Sequence, residues 1–384
     1  MKNNFDWPAV LMASAATLTP AAAVATLGIT LPEIRETLLL SELQAGSLFS
    51  IIFIVAVVAS NVAGRLSDTL GRKLVLITGA GSLSLAFALS GLSGSYPVML
   101  AALGWAGLGY GFITPSLFAL MSDLMPGRRG LATSLVSVFY GLGGLSGAVI
   151  ASSVTAAAGW RASFLAVSGL GILVTLTEMA WLKGPQRSAV SGHPASLRDS
   201  LNRNLALLAL AEFFGAAVFW STASWAPTVL RTTKGLSLNE TGILMGIWGL
   251  APMIGALVLG ALSDRFGRKK VILWTAYPGA LAAVIVYSLL TGLVPLAVGL
   301  ALIGALHGSV PALVIALTQD SAPPDAIGAA SGIVMSLHYV SAVATPLIAA
   351  QLIAGTGNML LTMVITTAVP FALFASLVAA VREK

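Results

Sequence analysis

The sequence predicts an all-α membrane protein, twelve transmembrane helices arranged as two pseudo-symmetric six-helix bundles. Three observations carry that prediction. Of 384 residues, 57% are hydrophobic and 9% charged, against about 25% charged in soluble domains, so lipid must solvate much of the surface. The apolar residues fall into runs of membrane-spanning length that do not alternate. In a bilayer core no water can pair with the backbone, so such runs form helices. Finally, the second half of the chain repeats the first.

The first six spans fall at about 8–31, 43–63, 74–94, 97–122, 131–157 and 162–182. The first follows Asp6, Trp7 and Pro8 with no A-x-A-like cleavage site, so it reads as a retained span. A polar stretch from Lys183 to Asn204 interrupts the pattern, and six more spans follow at about 205–230, 242–262, 271–292, 295–318, 328–353 and 357–380. The expected organisation is an N-terminal bundle over 1–182, a cytoplasmic linker over 183–204 and a C-terminal bundle over 205–384.

Between spans 2 and 3 the chain reads Gly64-Arg65-Leu66-Ser67-Asp68-Thr69-Leu70-Gly71-Arg72-Lys73. Between spans 8 and 9 it reads Gly260-Ala261-Leu262-Ser263-Asp264-Arg265-Phe266-Gly267-Arg268-Lys269-Lys270. Each copy sets a small residue, an acid, a turn glycine and a basic pair in the same order. The repeat extends further: Pro32 matches Pro227, Ser41 matches Ser237, Asp123 matches Asp320, and Ser137-Val138-Phe139-Tyr140 matches Ser336-Leu337-His338-Tyr339. Offsets run only from 195 to 199. With the N-terminus inside, sixteen of the 20 Lys and Arg residues fall on the cytoplasmic side. Only Arg35, Arg161, Arg231 and Lys234 fall outside, an imbalance that sets both termini and both repeated loops in the cytoplasm.

The duplicated loop resembles the G-x-L-[AS]-D-x-x-G-R-[RK] signature of the major facilitator superfamily, and the resemblance extends over essentially the whole chain. It implies a secondary transporter of the bacterial inner membrane, moving a small-molecule substrate by alternating access at a site between the halves. Proton coupling is expected, and the carrier is expected to be a monomer in the lipid bilayer. It also implies a conformational latch of Asp68, Arg72, Asp264 and Arg268, whose carboxylates brace the start of a helix in the other half. A drug or metabolite efflux antiporter and a transport-dead sensor are the alternatives. Two departures weaken the multidrug reading. Leu103 stands where many drug antiporters carry arginine, four residues before Gly107-Leu108-Gly109, and Gly143-Gly144-Leu145-Ser146-Gly147 lacks their proline. Trp225-Ala226-Pro227 looks more like the W-x-P ending of organic-anion and small-metabolite permeases.

Other chemistry finds no support. Cysteine is absent, so there is no thiol chemistry or cysteine metal site. No H-E-x-x-H, G-x-S-x-G or nucleotide-binding loop occurs, so neither an enzyme, a metal, a cofactor nor ATP drive is expected. The net charge of +6 reflects loop topology rather than a nucleic-acid partner.

Ionisable groups inside spans are costly and so point to function. Glu212 lies about two turns into span 7, while His307 and His338 fall near the middle of spans 10 and 11. These three are the proton-coupling candidates: a carboxylate can carry a proton, and imidazole titrates in the physiological range. Each also has a structural reading, Glu212 reaching the cytoplasmic surface and the histidines joining helices by neutral hydrogen bonds. Asp123 and Glu178 are placed near cytoplasmic ends. Trp105, Tyr110, Tyr140, Trp220 and Tyr339 are the substrate-cavity candidates. Trp7, Trp160, Trp225 and Tyr96 suit interfacial anchors.

Overall fold

The computed structural model describes residues 5–126, 128–182, 202–308, 310–322 and 327–382, and within its helices the side chains at 68, 129, 130, 310–312 and 327–329 are outside that description. Residues 183–201 of the expected linker also lie outside the described residues. The chain forms two compact units, Met1–Val190 and Ser191–Lys384. Among the described residues, twelve helices are long and apolar enough to cross a membrane, and there is no strand. This is the expected all-α membrane protein.

In the first unit the helices are α1 (Trp7–Ala15), α2 (Leu18–Leu38), α3 (Glu42–Leu70), α4 (Arg72–Gly91), α5 (Tyr96–Leu124), α6 (Arg129–Ala158) and α7 (Trp160–Trp181). The Asp6 carboxylate caps α1, accepting from the Ala9 amide at 3.2 Å. Together α1 and α2 make one span, broken at Ala16 and Thr17. Pro20 explains the break, because it has no N–H for the Ala16 carbonyl and its ring crowds that group. The Thr17 hydroxyl occupies the gap, donating to Ser14 O at 2.8 Å and Val136 O at 3.2 Å.

In the second unit the helices are α8 (Arg203–Thr232), α9 (Leu238–Phe266), α10 (Arg268–Ser288), α11 (Leu293–Gly308), α12 (Val310–Ser321), α13 (Ile327–Thr356) and α14 (Met359–Ala379). Here α11 and α12 share the tenth span, and Pro311 cannot supply an amide to the His307 carbonyl.

The sequence repeat is a repeat of local structure. Helix α3 opens on a capping box, Gln44 N donating to Ser41 Oγ at 3.3 Å and Ser41 N to Gln44 Oε1 at 2.9 Å. Helix α9 opens on the same device, Glu240 N donating to Ser237 Oγ at 3.3 Å and Ser237 N to Glu240 Oε2 at 2.8 Å, so each pair satisfies two amides that the first turn leaves free. Both helices end on the signature glycine, Gly71 at φ +97° and Gly267 at φ +91°, a conformation that glycine adopts without steric cost. The lysine that follows anchors the sixth span of its unit: Lys73 Nζ donates to Met179 O at 3.3 Å and Lys269 Nζ to Val381 O at 2.7 Å.

Helix contacts repeat as well. Without a hydrophobic drive between helices in lipid, close packing of small residues holds such bundles together. A Cβ at Gly107 on α5 would meet Ile52 O and come within 2.9 Å of Val55 Cβ on α3. A Cβ at Gly304 on α11 would lie 2.9 Å from both Trp248 O and Ala251 Cβ on α9. The partners are again 196 residues apart.

Two aromatic expectations are corrected. Trp160 and Trp225 are not interfacial anchors but buried, at 4% and 0% exposure. Each indole N–H finds an internal acceptor, Thr37 Oγ1 at 3.2 Å and Pro346 O at 3.1 Å, which removes the reason for the ring to reach water. Trp7 stays exposed, and the Tyr96 hydroxyl bonds Ser47 Oγ at 2.8 Å.

Candidate functional site

In the second unit, α8 carries Glu212, Gly215, Phe219 and Trp220, spaced at three, seven and eight residues and so on one face of the helix. Glu212 is fully buried. Its Oε1 lies 2.8 Å from His338 Nδ1 on α13, while Oε2 has no hydrogen-bond partner among the described residues. The alternative that Glu212 reaches the surface is therefore excluded. A buried carboxylate without a partner is strongly disfavoured, and the imidazole supplies one. One turn further along α8, the Gly215 carbonyl accepts from His307 Nε2 of α11 at 3.0 Å. That bond fixes the Nε2–H and is the neutral helix-joining hydrogen bond of the structural reading of His307.

Aromatic rings connect the two histidines. Phe219 stacks on His307 at 6.0 Å between centroids and meets Trp220 edge-on at 4.9 Å and Trp248 at 5.0 Å. Trp220 meets His338 edge-on at 6.1 Å, and Tyr339 meets it at 6.0 Å. Phe371 of α14 meets His307 edge-on at 6.3 Å. Five of the sequence candidates, Glu212, His307, His338, Trp220 and Tyr339, thus form one cluster. Phe219 and Phe371 were not among them. The first has a visible signal, its place two turns from Glu212 on the same helical face, whereas nothing in the sequence singles out Phe371.

The first-unit candidates do not join that constellation within their unit. Trp105 is 39% exposed, on the same strip of α5 as Leu108. Tyr110 turns inward and meets Phe53 edge-on at 5.2 Å, and Tyr140 on α6 is half-buried. Glu178, expected as an end-of-helix group, is fully buried on α7, and neither oxygen has a hydrogen-bond partner among the described residues.

Of the signature residues, the Asp68 side chain lies outside the described residues and Asp264 is exposed. The arginines do pair, each with the acid that closes the fourth span of its own unit. Arg72 pairs with Asp123 and donates to Ala119 O at 2.7 Å. Arg268 Nε lies 3.2 Å from Asp320.

The profile of the Major Facilitator Superfamily matches residues 13–346 and again 208–382. The chain belongs to that superfamily. Among relatives of this superfamily member, the gentisate transporter of Corynebacterium glutamicum is 29% identical over 333 residues, covering 82% of this chain and 74% of the relative. The probable sulfoacetate transporter SauU of Cupriavidus necator is 25% identical, covering 62% of this chain and 60% of its own length, so the chain spans less than two thirds of that relative. The solved structure of the nucleoside transporter NupG superposes with a TM-score of 0.82 at 12% identity, covering 98% of this chain and 99% of that one, which establishes the fold. The superfamily is one of transporters, not enzymes, and this member is a multi-pass membrane protein.

Proposed function

We propose that this superfamily member carries a small organic acid across the inner membrane by alternating access of its two units, driven by protons bound at Glu212 and His338. The observation that carries the reading is the contact between these two side chains, a buried carboxylate 2.8 Å from an imidazole on another membrane-spanning helix. Titratable groups are expensive in a span, and an adjoining acid and base can hold and release a proton there. The gentisate and sulfoacetate relatives support an organic acid as the cargo. The asymmetry of Lys and Arg supports cytoplasmic termini. Asp68, Arg72, Asp264 and Arg268 form the latch in this scheme, and the carrier works as a monomer.

The test is accumulation of radiolabelled gentisate by proteoliposomes under an imposed pH gradient of either sign, which also gives the direction of transport. One proton per solute makes a gradient of one pH unit worth about 1.4 kcal/mol, or roughly tenfold accumulation. Glu212→Gln should abolish that accumulation while the purified variant keeps its melting temperature. Accumulation by Glu212→Gln at the wild-type level would refute the assignment.

A further inference from the structure

We propose that His338 is the anchor for the substrate's carboxylate, and that Glu212 behind it ties each carboxylate to one proton. This rests on the proposed transport reading and adds the residue that recognises the cargo and the charge that moves.

The pair has an inside and an outside. Glu212 is 0% exposed, whereas the His338 side chain is 17% exposed. Nδ1 is engaged by Glu212 at 2.8 Å, and Nε2 has no hydrogen-bond partner among the described residues. With the Nδ1 proton committed to the carboxylate, a neutral ring presents a bare lone pair at Nε2, which repels an anion. On the ring, with Nδ1 already protonated, a second proton can land only on Nε2. It turns that edge of a partly exposed side chain into a cationic N–H donor, a strong partner for a carboxylate.

Among the described residues, no other cation competes for this role. Every Lys and Arg among them lies in a loop or within a few residues of a helix end. His307 is 4% exposed and already donates from Nε2 to Gly215 O. The groups facing His338 from neighbouring elements are few, and His307 of α11 is near enough to interact with it electrostatically. Helix α8 offers Glu212, with Arg203 and Arg231 near its ends, and α13 itself offers Tyr339. Helix α12 offers only Asp320 at its end, held by Arg268, and α14 has no ionisable side chain. Trp220 and Tyr339 meet the imidazole edge-on; Trp220 is buried, so Tyr339 is the ring that an aromatic group on the carboxylate would meet.

The charge balance follows. The empty pair, ionised Glu212 and neutral His338, carries −1. The loaded pair adds one proton from water and one monocarboxylate, and also carries −1. The proton leaves Nε2 when the anion does. Empty and loaded carriers therefore cross the field with equal charge, and transport of a monocarboxylate is electroneutral. A dicarboxylate would move one net negative charge.

The experiment uses the full chain, purified and in proteoliposomes, with benzoate, gentisate, the neutral analogue benzamide and the dianion terephthalate. At pH 8, wild type should take up close to one proton per benzoate or gentisate bound. It should bind them about tenfold more tightly than benzamide, the scale of one charge-assisted hydrogen bond. His338→Gln should bring that preference to about one. Monocarboxylate uptake by wild type should not change with a potassium diffusion potential, whereas an inside-negative potential should slow terephthalate entry. Binding without proton uptake, a preference surviving in folded His338→Gln, potential-driven benzoate uptake, or binding of neither monocarboxylate would each overturn the proposal. If His338→Gln does not fold, the proton count and potential dependence of wild type decide. Proton-driven transport of a solute lacking a carboxylate would overturn this inference alone, while absence of any pH-driven transport would overturn the functional reading as well.

Discussion

Arg72–Asp123 and Arg268–Asp320 are the same ion pair written twice, yet the two should differ in strength. In the first, the side chains are 15% and 21% exposed, and Arg72 also donates to Ala119 O at 2.7 Å. In the second they are 32% and 57% exposed, with a single contact at 3.2 Å. A shielded hydrogen bond between charged groups contributes about 1.5–3 kcal/mol, whereas a solvent-screened pair contributes about 0.2–1 kcal/mol. A double-mutant cycle measures each coupling directly: Arg72→Ala, Asp123→Ala and the double variant, then the corresponding three at Arg268 and Asp320. Unfolding in mixed micelles, followed by tryptophan fluorescence, supplies the free energies. The first coupling should exceed the second by about 1 kcal/mol or more, and raising NaCl to about 0.5 M should weaken chiefly the second. Equal couplings, or a larger one at Arg268–Asp320, would refute the argument that shielding sets the strength of these pairs.

The paired glycines offer a second comparison. Alanine at either Gly107 or Gly304 forces a Cβ into a neighbouring helix, so each should cost about 1–3 kcal/mol, read as a lower melting temperature. Only Gly304→Ala pushes on Trp248, which touches Phe219, so only it should also weaken solute binding; equal binding losses would show that the aromatic cluster is not the route. The double variant Glu212→Thr with His338→Phe gives the second unit the residues found at Thr17 and Phe139 in the first. Buried ion pairs replaced by uncharged groups often leave stability unchanged or improved, so this variant should fold and melt near wild type while losing pH-driven accumulation. Failure to fold would mean that the pair is structural.

Much of this architecture was legible because lipid leaves few options. Backbone pairing forces helices, helix length is set by bilayer thickness, and the duplicated loop marks the same turn in each half. The break in span 1 also has a local cause, Pro20. What sequence could not separate is the inward and outward faces of helices that are apolar all round, since amphipathic periodicity disappears there. Hence Trp160 and Trp225 looked like anchors although each indole finds an internal acceptor. Glu178 does lie three residues from the end of α7, as expected, but its full burial could not be read from the sequence. Glu212 and His338 could each be singled out as ionisable groups in spans, but they stand 126 residues apart, and only the packing of α8 on α13 brings them together.

The division between what repeats and what does not separates scaffold from chemistry. Capping boxes, turn glycines, anchoring lysines, arginine–aspartate pairs and the glycine contacts recur in both units at nearly constant offset. A feature kept in both copies serves something both copies need, which is the packing and turning of six helices. Among the described residues, the titratable cluster occurs once. At the offsets that relate the halves, Thr17 answers to Glu212, Tyr110 to His307 and Phe139 to His338. Thr17 joins α2 to α6 through a neutral hydroxyl on the Val136 carbonyl at 3.2 Å. Its counterpart joins α8 to α13 through a carboxylate and an imidazole. The corresponding helix junction of the first unit is made without any ionisable group. The pair's placement in one unit only is what a carrier needs if a single proton is to accompany each solute.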